Sequence, residues 1–132
     1  MSAAFGLGLY VGGSVHVDAQ RSARVLEVRR YTANAAKLDD LVKRMREGET
    51  ALFEKHGMKG VFYSVASEAP DSQNTYLYVL SHASREAAKK SWDDFRNDPA
   101  WKSLRDTSEA NGPLVGKVES TFVTPTDFSP LK

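Results

Sequence analysis

Two hydrophobic periods alternate along this chain, and their order restricts the folds open to it. From Arg24 to Thr32, Leu26 and Val28 are separated by Glu27 and Arg29, the period of a half-buried strand. Leu38, Leu41, Val42, Met45, Glu49, Leu52 and Phe53 then recur at intervals of three and four, one stripe along a helix of about five turns. Asn34 is placed to cap that helix. Gly48 lies within it at a cost of about 1 kcal/mol relative to alanine, which predicts a close approach there. His56-Gly57 reads as the helix end, with Gly57 left-handed.

Gly60 to Ala66 is β-branched and aromatic, hence a strand. The turn cluster Ala69 to Asn74 separates it from a second strand, Thr75 to Leu80, so the two should form a hairpin. Ser84 caps a helix with Ala88, Trp92 and Phe95 on one side. Asp98-Pro99 opens a further short helix, with the cap at Asp98, proline at the first helical position, and Trp101 and Leu104 facing inward. Asn111-Gly112-Pro113 ends it, and Val115 to Val123 alternates again. The order β-α-β-β-α-β predicts an α+β fold of the ferredoxin-like, split βαβ kind. Its sheet is antiparallel, with both helices on one face. The opposite face then needs a cover if it is apolar.

The length of 132 residues suits one domain, which this reading places at residues 24–132. The net charge of +1 gives little reason to expect nucleic-acid binding, which depends on clustered cations. Lys43-Arg44-Met45-Arg46 and Lys89-Lys90 sit beside acidic residues and read as solvated helix faces. With no cysteine, disulfides, thiolate metal sites and a cysteine nucleophile are excluded. Residues 1–20 stand apart. An apolar, glycine-rich run ends in Val17-Asp18-Ala19, which resembles an export signal cleaved after Ala19, although no Lys or Arg precedes Arg21. This predicts a periplasmic protein, the alternative being a disordered tail on a cytoplasmic one. The run is short for a membrane span.

Strand parity sorts residues by face. Leu26, Val28, Phe62, Leu77, Val79, Val118 and Phe122 form the side best suited to lie under the helices. The opposite parity collects Glu27, Arg29, Tyr31, Tyr63, Tyr76, Tyr78 and Glu119, with Val61, Val65, Val115, Lys117 and Thr121. That second face is too aromatic for solvent and too polar for a plain core. It can be a homodimer interface, with tyrosines supplying area and charges pairing across a two-fold axis. It can equally line a cavity for a small apolar or aromatic ligand. His82, just before the Ser84 cap, is a candidate for the mouth of such a pocket. His56 reads as a helix-terminal residue. The histidines have no close paired spacing with carboxylates, so no metal site is expected and no cofactor is predicted. The motifs G-x-S-x-G and H-E-x-x-H and a glycine-rich phosphate loop are all missing.

Three segments carry a family resemblance. Glu27, Arg29 and Tyr31 in the first strand resemble the E-x-R-x-Y opening of NIPSNAP proteins. Asn97-Asp98-Pro99-Ala100-Trp101 is similar to their D-P-x-W element. Thr124-Pro125-Thr126-Asp127-Phe128-Ser129-Pro130-Leu131 resembles the P-T-x-[FY]-S-P-L ending of bacterial members. The resemblance implies a dimeric α/β barrel. It carries no catalytic residue set, and leaves open whether the protein is an enzyme. The first reading is therefore a small-ligand-binding or interaction protein. The alternative, by analogy of fold, is a cofactor-independent monooxygenase or a haem-related enzyme. The monooxygenase would use Arg29 to hold an anionic oxygen and Tyr76 or Tyr78 to hydrogen-bond substrate. A haem protein would need His82 or His56 as axial ligand.

Overall fold

The computed structural model describes residues 24–132, so the leader expected at 1–20 lies outside the described residues. Four strands, β1 (Val25–Ala33), β2 (Lys59–Val65), β3 (Thr75–His82) and β4 (Val115–Val123), form one antiparallel sheet in the order β2-β3-β1-β4. This is the ferredoxin-like α+β order expected from the sequence. α1 (Leu38–Arg44) and α2 (Thr50–Lys55) are joined by a π-helical turn, Met45–Glu49, and together make the long first helix. α3 (Arg85–Asn97) and α4 (Pro99–Ser108) follow β3.

Local chemistry sets most boundaries as expected. Ser84 Oγ accepts from Ala87 N at 3.0 Å to start α3. Asp98 Oδ1 accepts from Ala100 N at 2.8 Å to start α4, with Pro99 in its first turn. Gly57 has φ of 82°, the left-handed conformation that a helix end favours. At Gly48 an added Cβ would lie 3.0 Å from Leu104 Cδ2, which is the close approach the glycine foretold. One expectation fails. Asn34 does not cap α1, because its Nδ2 donates to Pro113 O at 2.9 Å and ties the end of β1 to the start of β4.

The face assignment needs correction. The core under the helices holds Tyr31, Tyr76, Tyr78 and Leu80, packed on Leu41, Met45, Phe53, Trp92, Phe95 and Trp101. The tyrosine face is thus the helix-covered one, and the aliphatic parity of Leu26, Val28, Leu77 and Val79 faces the other way. On that open face Phe62 is 48% exposed. The physical reason is that the tyrosine hydroxyls and nearby charges satisfy one another, so their burial costs little. β4 is also reversed relative to β1. Val118 pairs with Tyr31 and Phe122 with Glu27, while Glu119 pairs with Arg30. Val118 and Phe122 therefore share the tyrosine side, whereas Glu119, Lys117 and Thr121 belong to the open face.

α1 and α3 lie over β3, and α2 lies against β2. The inner side of β4 is less closely covered, and Val118 there is half exposed. That strip is where the site forms.

Candidate ligand-binding site

The site grows from β1. Glu27, Arg29 and Tyr31 project to one face at strand period. Glu27 is almost completely enclosed, yet four donors converge on its carboxylate. Arg29 Nη1 at 2.7 Å and Ser120 Oγ at 2.6 Å reach Oε2. His82 Nε2 and Trp92 Nε1, both at 2.8 Å, reach Oε1. Burial alone would raise its pKa. The hydrogen bonds from His82, Ser120 and Trp92 and the Arg29 charge outweigh burial and hold the carboxyl at about 2.

Arg29 is shared three ways. Besides Glu27, its Nε donates to Tyr78 Oη at 2.9 Å and its Nη2 to Tyr31 Oη at 3.3 Å. Its guanidinium lies over the Trp92 ring, 4.1 Å from the centroid. Tyr78 Oη donates to Tyr31 Oη at 2.7 Å, closing a hydrogen-bonded run from His82 through Glu27, Arg29 and Tyr78 to Tyr31. Burial raises the pKa of both tyrosines, so both hydroxyls stay protonated.

Above this floor, Arg44 donates to Glu49 Oε1 at 2.8 Å and to Glu109 Oε2 at 3.1 Å, and its guanidinium covers Trp101 at 4.9 Å. Arg44 and Glu49 flank the π turn. Such turns recur at functional sites because they re-aim side chains that a regular helix would stagger.

Between floor and helices is a cavity of about 330 Å³, lined by Arg29, Tyr31, Arg44, Trp92, Trp101 and Val118 among others. Past Arg29, Trp92 and Arg96 it shares its wall with a groove of about 460 Å³ bordered by Arg85, Lys89 and Phe122. A separate hollow of about 470 Å³ lies across the fold, between α1 and β2, lined by Val42, Met45, Tyr63, Val65 and Tyr76. It is larger, but Arg46 is its one charged wall residue, so it offers few groups to orient a ligand.

The candidates from the sequence are thereby divided. Glu27, Arg29, Tyr31, Tyr78 and His82 form one network. Tyr63 and Tyr76 face the other hollow. Glu119 is on the opposite sheet face, 3.9 Å from Arg30. His82 is enclosed at 1% exposure on Glu27 and against Phe122, not at a pocket mouth. Its Nδ1 has no hydrogen-bond partner among the described residues. His56 Nε2 is 2.7 Å from Asp98 Oδ2. His82 is enclosed, and neither histidine lines the cavity or the adjoining groove, so neither is placed for the axial role a haem reading requires. Sequence reasoning missed Arg44, Trp92 and Trp101 as site residues. A signal was available in Glu49, a carboxylate set in the apolar stripe of the first helix. Among the described residues no cluster of His, Asp and Glu could hold a metal ion.

The family model of NIPSNAP matches residues 26–130. The chain belongs to the NIPSNAP family. Among solved structures, a NIPSNAP family protein from Agrobacterium tumefaciens str. C58 is 23% identical, with 83% of this chain and 99% of that one covered and a TM-score of 0.71. A NIPSNAP-like domain protein from Burkholderia xenovorans is 15% identical over 83% and 90% of the two chains, also at 0.71. SnoaB, a cofactor-independent oxygenase from Streptomyces nogalater, is 18% identical over 82% and 98%, at 0.55. These likenesses establish the fold. No curated protein matches this NIPSNAP chain.

Proposed function

We propose that this NIPSNAP protein is a homodimer that binds a small, partly apolar molecule in the cavity between β1, β4 and the helices. The observation that carries the reading is the floor of that cavity. Arg29 and Tyr31 form it, fixed from behind by Glu27 and Tyr78, beneath walls of Trp92 and Trp101. A few oriented polar groups inside an aromatic enclosure are what a small-molecule site requires.

The second copy covers the open face of the sheet. Phe62 and Val123 are exposed there beside Val28 and Leu77, a strip too apolar to leave in water. Arg30, Lys117 and Glu119 on the same face supply both signs of charge, which suits a two-fold interface. The dimer thus uses the aliphatic face, and the cavity belongs to the tyrosine face.

Native mass spectrometry of the protein purified from its own host tests both parts. A dimer retaining a small molecule is the expected result. A monomer at micromolar concentration would remove the homodimer, and an empty cavity after gentle isolation would argue for a protein partner instead. The same spectrum reads the export expectation, since cleavage after Ala19 leaves Gln20 as the first residue.

A further inference from the structure

The polar groups of the cavity floor specify the charge of what binds there. Tyr31 and Tyr78 together hold two hydroxyl protons and sit 2.7 Å apart. Each also lies within donor reach of Arg29, through Nη2 and Nε. One hydroxyl proton is consumed between the two tyrosines, so one is left over. Tyr78 is completely enclosed and its oxygen lies between Arg29 and Tyr31, whereas Tyr31 lines the cavity. The spare proton is therefore on Tyr31, and the cavity is where an acceptor for it can stand.

Arg29 adds to the same spot. A guanidinium has five N–H groups, and three of these bonds are accounted for by Glu27, Tyr78 and Tyr31. The charged lining is mixed: Arg29, Arg44, Arg96 and Arg105 stand with Glu49 and Glu109, and each arginine is paired with a carboxylate, Arg29 with Glu27, Arg44 with Glu49 and Glu109, Arg96 with Asp93 and Arg105 with Asp106. The preference for an anion therefore rests on the spare Tyr31 proton and the spare Arg29 N–H groups. Trp92 and Trp101, both largely buried, line the same opening, with Arg29 over one ring and Arg44 over the other.

We infer that the cavity accepts a planar aromatic anion, a carboxylate or a phenolate. The anionic oxygen accepts a hydrogen bond from the Tyr31 hydroxyl and another from a spare Arg29 N–H, and the ring sits against the apolar part of the lining, Phe95, Trp101 and Val118. This rests on the ligand-binding reading above and narrows it to a class of ligand.

The test is a titration of the full chain with 2-naphthoate and, separately, with its neutral relative 2-naphthalenemethanol. Both tryptophans of the chain line the cavity, so intrinsic fluorescence reports occupancy, with calorimetry as the second readout. The carboxylate binds at least about tenfold more tightly than the alcohol. Tyr31→Phe lowers carboxylate affinity by about tenfold, the loss of one hydrogen bond to a charged oxygen. Arg105→Gln, at a half-exposed rim position, lowers it by about threefold, and serves if the tyrosine variant fails to fold. Equal binding of the two probes, with neither variant discriminating between them, overturns the anion assignment while the cavity reading stands. If neither probe changes fluorescence or gives heat, both the assignment and the cavity reading fall.

Discussion

Arg29 Nη1 donates to Glu27 Oε2 at 2.7 Å, two residues back on the same strand, and this pair anchors the floor of the cavity. It is a buried ion pair whose carboxylate side is complete. Trp92, His82 and Ser120 complete the carboxylate, and Tyr78 and Tyr31 engage the guanidinium. Buried charges contribute stability only when their partners are complete, and removing one member exposes the cost of all the others.

Glu27→Ala leaves Arg29, His82 and Trp92 facing a void. Urea unfolding should show a loss of about 3–5 kcal/mol. A loss under about 1 kcal/mol would mean that water replaces the carboxylate without penalty.

Stability should also fall in acid through this group. The Glu27 carboxyl is depressed to about 2 in the folded protein, below its unfolded value. Its contribution is therefore fully present above about pH 4.5 and is lost as pH falls towards 2. The size is on the order of 3 kcal/mol. Urea midpoints at pH 7, 4.5 and 2.5 for wild type and Glu27→Gln provide the comparison. Wild type should lose more than the variant between pH 4.5 and 2.5, and parallel losses would show that other carboxylates are responsible.

The dimer is tested on the aliphatic face. Phe62→Asp places a charge where the second sheet packs, and light scattering should then report the 14.6 kDa monomer at low micromolar concentration. Tyr78→Ala is a different experiment. Its ring is fully enclosed against Phe53 at 5.6 Å, so that variant loses about 3–5 kcal/mol of folding stability instead of dissociating cleanly.

Gly48 spaces the first helix from α4. Gly48→Leu must displace Leu104, whose Cδ2 would meet even a Cβ at 3.0 Å. Overpacking of this kind costs about 1–3 kcal/mol. Because Arg44 and Glu49 flank the same turn, the variant should weaken 2-naphthoate binding as well, which a fluorescence titration reads directly.

The order of elements, the capping residues other than that of the first helix, and the family were legible in the one-dimensional pattern. Ser84, Asp98-Pro99 and Gly57 act on backbone groups within a few residues, so local sequence contains their whole cause. Parity likewise placed Glu27, Arg29 and Tyr31 on one side of β1, because alternation is a property of a single strand. Which side turns inward depends on something sequence does not display. Three tyrosines, an arginine and a glutamate look costly to bury when counted singly. They become inexpensive once Tyr31, Tyr78, Arg29 and Glu27 are hydrogen-bonded to one another and to Ser120, Trp92 and His82, residues up to 93 positions away. The phase of β4 against β1 was likewise settled by pairing between distant strands, which carried Glu119 to one face and Val118 to the other. Local period determined the elements. Tertiary pairing decided the faces, and with them the cavity, because the energy of a buried polar group belongs to its partners as much as to itself.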